Sequence, residues 1–207
     1  MNPLGTPAYL PGIDVSHFQG VINWEHVKAA GIGFAFIKGT DGLGSVDPRA
    51  AFNARECTAF GIPFGLYHFF RPSLDAEKQA EFFLAQTKGF GATLPPALDL
   101  ELGPVTATQA CGWLDTVDAS LGREPLVYVS PAFAAESFDA TDEPLIGVYP
   151  LWIAEYTTRP APTVPACWSD WEFWQHTPQG QVDAMPTVVD LDWFHGTAED
   201  LAAVWIK

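Results

Sequence analysis

Positive charge is scarce in this chain. Ten Lys and Arg stand against 25 Asp and Glu, a net charge of −15. Phosphate backbones are held by Lys and Arg, so nucleic acid is excluded as a partner. The imbalance also argues against electrostatic capture by an anionic membrane or cell wall. Affinity for such a surface has to come from specific contacts or from a separate module. Long apolar runs are missing too, so no membrane span is expected. The start, Met1 to Gly12, has no basic residue and no apolar core of secretory-leader length. Its Pro3, Gly5, Pro7, Pro11 and Gly12 make residues 1–11 read as a linker remnant, with one domain from 12 to 207.

Cysteine is limited to Cys57, Cys111 and Cys167, widely spaced and without a C-x-x-C pair. Neither a zinc knuckle nor a redox pair is indicated, and all three read as packed core thiols. His17, His68 and His176 lack H-x-x-x-H spacing, and no G-K-[ST] follows Gly42 and Gly44. No metal or organic cofactor is therefore expected.

What is present is a recurring unit: a short apolar run, a polar turn, a helical pattern and a glycine. The strands are Ile13–Val15, Phe34–Lys38, Pro63–Phe70, Ala97–Glu101 and Leu126–Ser130. Between them, helices start at Asn23, at Asp47-Pro48, at Ser73 or Asp75, and at the capping-box pair Thr106/Gln109. Gly31, Gly61, Gly89 and Gly122 stop them. A short helix over Pro131–Phe138 follows. Successive βα units predict a mainly parallel sheet. The second half is rich in Pro and Trp, with strand-like runs at Leu151–Ala154, Glu172–His176 and Val188–Asp192 and poor helix formers between them. A helix from Thr197 to Trp205 ends the chain. The expected fold is α/β: a single, irregular (β/α)8-like barrel with helices missing or shortened in its last third.

Parallel barrels do their chemistry at the C-terminal ends of their strands. Those ends carry Asp14, Ser16 and His17; Lys38, Thr40 and Asp41; Tyr67 and His68; Asp99 and Glu101; Tyr128; Trp152 and Tyr156; Trp174 and Gln175; and Asp190 and Asp192. Acids and aromatics dominate this rim. Sugars stack on aromatic rings and bond their hydroxyls to carboxylates and amides, so the rim has the composition of a sugar cleft. The segment Pro95 to Glu101 is the most informative, because Asp99 and Glu101 leave the same face of one apolar strand. Two carboxylates set together serve glycosidic bond cleavage. Solvated strand-end acids look alike in sequence, as does a sugar-binding module without catalysis.

Several segments resemble motifs of the glycoside hydrolase family 25 lysozymes, the Chalaropsis-type muramidases. They are Gly12-Ile13-Asp14-Val15-Ser16-His17-Phe18-Gln19-Gly20, Phe36–Gly42, Gly65–Phe69, Leu98-Asp99-Leu100-Glu101, Leu151–Tyr156, Trp174–Thr177 and Val189–Phe194. The order is right throughout residues 12–196. Asp41 stands where the family has Glu, and Asp192 where Asn is more usual. The resemblance implies cleavage of the β-1,4 bond between N-acetylmuramic acid and N-acetylglucosamine in peptidoglycan. It implies Glu101 as general acid/base with Asp99, Asp14 and Asp190 as further catalytic carboxylates, and it favours retention assisted by the substrate's N-acetyl group. Tyr67, Lys38, Tyr128, Trp152, Tyr156, Gln175 and Asp192 are the candidate substrate-binding residues. The implied partner is the glycan strand of the bacterial cell wall, met by a monomer, with a separate wall-binding module in reserve. Without a leader, such an enzyme suits a phage endolysin released through a membrane hole, or a catalytic domain cut from a larger protein. A chitinase-like hydrolase also ends a strand in D-x-E, but this chain lacks the two further upstream Asp residues.

Overall fold

The computed structural model describes residues 9–183 and 185–204. Eight strands close into a barrel: β1 (Leu10–Val15), β2 (Phe34–Asp41), β4 (Phe64–Phe69), β5 (Ala97–Leu100), β6 (Leu126–Val129), β7 (Leu151–Ala154), β8 (Phe173–Gly180) and β9 (Val189–Phe194). Pairing of β1 with both β2 and β9 closes the ring. A two-residue strand, β3 (Ser45–Val46), folds back on the end of β2 as a hairpin that the sequence reading lacked.

Neighbouring strands are parallel from β1 through β8, as the βα spacing predicts. β9 is the exception, running antiparallel to both β8 and β1. Helices α1 (Trp24–Ala29), α2 (Ala50–Phe60), α3 (Ala76–Thr87), α4 (Ala107–Leu121), α5 (Pro131–Ser137), α6 (Glu143–Ile146) and α7 (Ala198–Val204) lie outside it. Among the described residues no helix connects β7 to β8 or β8 to β9. The thinning of helices in the last third is thus as expected, while the short α6 was not foreseen. Trp205, expected to end the last helix, lies outside the described residues, as do residues 1–8 of the presumed linker.

The helix signals act where expected. Asn23 and Asp75 accept the capping N–H bonds of α1 and α3, Thr106 and Gln109 form the capping box of α4, and Gly61 and Gly122 adopt the left-handed conformation that closes α2 and α4. Asp47 does not cap α2, which begins at Ala50 without a side-chain cap. Its carboxylate instead accepts from the backbone N–H groups of His17 (2.9 Å) and Arg49 (2.8 Å). It also meets Nδ1 of the His17 ring at 2.8 Å.

Strand alternation divides the core into two layers. Outward positions such as Ile13, Ile37, Leu98, Val127 and Ile153 pack under the helices with Trp24, Phe83 and Trp113. Inward positions Phe34, Phe36, Ala97, Leu126, Trp152, Phe173 and Phe194 fill the lower lumen. Large and small residues are matched there. A Cβ added at Gly12 would fall into the Phe34 ring, and one at Gly65 into the Phe36 ring. Phe36 in turn stacks on Trp152 at 4.3 Å between centroids. The barrel is therefore a packed plug below, and only its upper end is open. Cys57, Cys111 and Cys167 are free and buried, as read.

Candidate active site

Above the aromatic plug, the inward positions turn polar within one step of alternation. Gly12 is followed by Asp14, Phe36 by Lys38, Gly65 by Tyr67, Ala97 by Asp99, Leu126 by Tyr128, and Phe173 by Gln175. These side chains line a cleft of about 260 Å³ together with Ser16, Phe18, Gln19, Phe69, Glu101, Trp152, Tyr156 and Asp190. Asp99 and Glu101 both face it, as i/i+2 geometry requires. Beyond Glu101, Tyr128 and Tyr156 the surface dips again into a hollow of about 260 Å³ lined by Leu100, Ser130, Phe133 and Ala154. A larger cavity of about 790 Å³ lies elsewhere, between the C-terminal ends of α3 and α4. No carboxylate lines it, so size does not mark the site.

The floor of the cleft is one hydrogen-bonded frame. Gln175 Nε2 donates to Asp14 Oδ2 at 2.7 Å. Its Oε1 accepts from the hydroxyls of Tyr128 (2.9 Å) and Tyr156 (2.8 Å). Gln175 is itself buried, so the amide is fixed and aims Asp14 upward. Lys38 Nζ donates to Asp41 Oδ2 at 3.2 Å, and Arg71 donates to both oxygens of Asp41. The two cations flank the Phe69 ring at 4.6 and 4.7 Å. Burial raises the Asp41 carboxyl, but the bonds from Arg71 and Lys38 outweigh it and hold Asp41 below the usual range. Asp41 is thus an anchor for Lys38.

Burial acts unequally on the carboxylates: Asp14 and Asp99 are buried, while Glu101 reaches solvent. Burial pushes Asp99 well above its ordinary pKa, the charge of Glu101 adds to this, and Lys38 opposes it. Burial also raises Glu101, against the pull of Lys38 and a contact from the Tyr128 hydroxyl. Asp190 is pushed up to about 6 by burial and by Glu101. Asp14 is raised by burial, then by Asp192 and Asp190, while its bond from Gln175 opposes. An ionised Asp99 beside it would raise Glu101 further. The structure places Asp99 deeper, at 5% exposure, with Glu101 at the open mouth. The proton of the pair is therefore favoured on Asp99. One oxygen of Asp99, Oδ1, is buried with no partner among the described residues.

Ten of the eleven candidate residues line this cleft: Glu101, Asp99, Asp14, Asp190, Tyr67, Lys38, Tyr128, Trp152, Tyr156 and Gln175. Asp192 does not. It is fully buried, and its Oδ1 accepts from Trp152 Nε1 at 2.8 Å beneath the floor. The reason is strand direction: because β9 runs antiparallel, its C-terminal end points down the barrel, and Asp192 pairs level with Gly12 while Asp190 pairs level with Asp14.

Three further rim residues of the sequence reading also face away. Thr40 and His68 are buried outside the barrel, 2.7 Å apart, with His68 on Gln79 and stacked on Trp113. A register shift between Lys38 and Thr40 turns Thr40 outward. Trp174 donates to the Glu155 carbonyl on the outer face. Phe18, Gln19 and Phe69 line the cleft although sequence reasoning did not single them out; Phe18 is the most exposed of them. Phe18 lines the cleft from a 3₁₀ turn over His17–Gln19 and is 74% exposed. The Ser16/Gln19 capping box that builds this turn was a readable signal.

The sequence profile of "Glycosyl hydrolases family 25" matches residues 13–185. Lysozyme M1 of Streptomyces globisporus is 34% identical over 208 residues, covering 93% of this chain and 70% of that protein. The N,O-diacetylmuramidase of Chalaropsis sp is 30% identical, covering 80% of this chain and 87% of that protein. The crystal structure of the bacterial lysozyme from Streptomyces coelicolor superposes with a TM-score of 0.84 at 31% identity, covering 95% of this chain and 96% of that one. With the barrel, the cleft and its carboxylates in place, the chain belongs to the glycosyl hydrolases of family 25.

Proposed function

We propose that Glu101 and Asp99 together cleave peptidoglycan, with retention of configuration and participation of the substrate's own N-acetyl group. The enzyme is a muramidase acting on the β-1,4 bond between N-acetylmuramic acid and N-acetylglucosamine. The observation that carries the mechanism is the shared facing of Asp99 and Glu101 into one cleft, the first buried and the second at its mouth. Glu101 sits between the main cleft and the second hollow, which suits a bond held across it.

The unpartnered Oδ1 of Asp99 is the natural acceptor for an acetamido N–H. A donor to its charged form lowers its pKa and shifts the shared proton to Glu101. Substrate binding thus arms the acid. Glu101 then gives its proton to the departing glycosidic oxygen while the acetamido oxygen bonds to the anomeric carbon. Water opens this ring, and Glu101 takes the water's proton back. Asp190 and the Asp14–Gln175 frame position the sugar and oppose the developing positive charge. Tyr67, Tyr128, Trp152 and Tyr156 form the aromatic walls, and Lys38 tempers the charge of the acids. Proton NMR of the first-formed anomer tests retention, and a glycosyl ester trapped on Asp99 would exclude the assisted route. Mass spectrometry of fragments released from purified peptidoglycan tests the bond choice.

We further propose that the barrel is one catalytic domain acting as a monomer; Leu10 and Pro11 belong to β1 and Tyr9 packs on Trp171, so the linker read over 1–11 does not extend to residues 9–11. The net charge of −15 supports wall targeting by a separate module. A holin-released endolysin or a domain of a larger lysin fits that arrangement, and sedimentation with wall fragments at varied salt tests it.

A further inference from the structure

Asp192 is the buried acid for which the reaction has no use. It is 0% exposed, one layer below Asp14 on the neighbouring strand. Its Oδ1 is satisfied by Trp152, but its Oδ2 is buried without a donor. The Asp192 carboxyl is also in hydrogen-bond contact with the Asp14 carboxyl. Two bare carboxylates cannot stay in that place. An unpaired buried charge is costly, and no cation among the described residues bonds either acid. The neutral donors are Gln175 on Asp14 and Trp152 on Asp192, and the other groups that face them, Asp190 and Asp99, are acids.

We propose that Asp192 is a positioning residue that keeps its proton at neutral pH and donates it as a hydrogen bond to Asp14. A protonated carboxyl has one O–H donor and remaining acceptor capacity. It can therefore accept from Trp152 with one oxygen and donate to Asp14 with the other, as a side-chain amide would. With Gln175 on the other side, Asp14 is held between two donors and stays the ionised member. Burial and the charge of Asp190 favour the protonated form of Asp192, against the bond from Trp152 and the contact with Asp14. The role of Asp14 rests on the functional reading above; the proton on Asp192 does not.

The test has a readout independent of activity. In protein carrying ¹³C-labelled Asp, the Asp192 carboxyl carbon, assigned by its absence in Asp192→Asn, should stay at the protonated shift through pH 7. A carboxylate shift for Asp192 at pH 6–7 would overturn the proposal whether or not any variant folds. The variants test its consequence. Asp192→Ala, which leaves Asp14 free to swing, should lower kcat about tenfold or more. Asp192→Asn should recover most of that loss, and its melting temperature should rise relative to the parent as pH goes from 5 to 8. Equal losses in both variants, with no pH-dependent difference in melting, would sink the positioning role. A protonated Asp192 with unaltered kcat in Asp192→Ala would sink the role of Asp14 instead.

Discussion

The two ends of the barrel lumen are built on the same strands and differ in kind. Below, Phe34, Phe36, Phe173 and Phe194 close on one another with ring centroids 5.0 to 5.9 Å apart. Above, one alternation step further, Asp14, Asp99, Gln175 and Lys38 replace them. The lower layer gains stability from apolar burial and close packing. The upper layer spends some of it, because each of its acids is raised by burial. The plug is what makes the acids possible: it fixes the strands so that carboxylates can be held apart from water in a defined geometry.

Breaking one end should spare what the other provides. Glu101→Gln should lower kcat by about 10²–10⁴-fold, with little change in melting, since Glu101 is exposed and packs little. Turnover by a folded Glu101→Gln protein at the parent rate would remove Glu101 from the mechanism. At the other end, Phe36→Ala opens a hole against Trp152 and Phe173 and should cost about 3–5 kcal/mol of unfolding free energy in a urea titration. A loss under half of that would mean the plug is looser than its packing indicates.

Smaller effects sharpen the contrast. Asp14, Asp99 and Asp192 have folded-state pKa values above their unfolded ones. The folded protein therefore holds more protons in that window. Their contribution to stability is full below the unfolded carboxylate range and falls as pH rises toward the folded values. Melting temperature should thus decline from pH 4 toward neutrality, and Asp99→Asn should flatten the decline while removing most activity. A parental curve that climbs over this range would contradict the burial of these acids as charged liabilities. The smallest effect belongs to Tyr156→Phe. Tyr128 still donates to Gln175 Oε1, so the frame should weaken by about 1 kcal/mol or less and kcat should fall only a few-fold. A loss as large as that of Glu101→Gln would make Tyr156 a catalytic group instead.

Much of this was legible before any coordinates. Caps at Asn23, Asp75 and Thr106, and the glycine stops, mark helices by local backbone chemistry, which sequence records directly. The pairing of Asp99 with Glu101 follows from a period of two. What stayed hidden depends on distant partners. The reversal of β9 is set by its β8 hairpin and by closure on β1, so Asp192 looked like a rim acid. The shift at Lys38/Thr40 turned Thr40 toward His68 and away from the cleft. Asp47 looked like a cap but is recruited by His17, thirty positions away. Phe18 was not singled out, because exposure is a property of the assembled rim.

The three thiols offer a way to watch the molecule breathe. Cys57 lies on the buried face of α2, Cys111 on α4, and Cys167 in the Trp-rich segment before β8. None forms a disulfide, and each is shielded from reagents while its layer stays closed. Alkylation at the three sites, followed by peptide mapping over time, would rank the opening rates of these layers without a single introduced label.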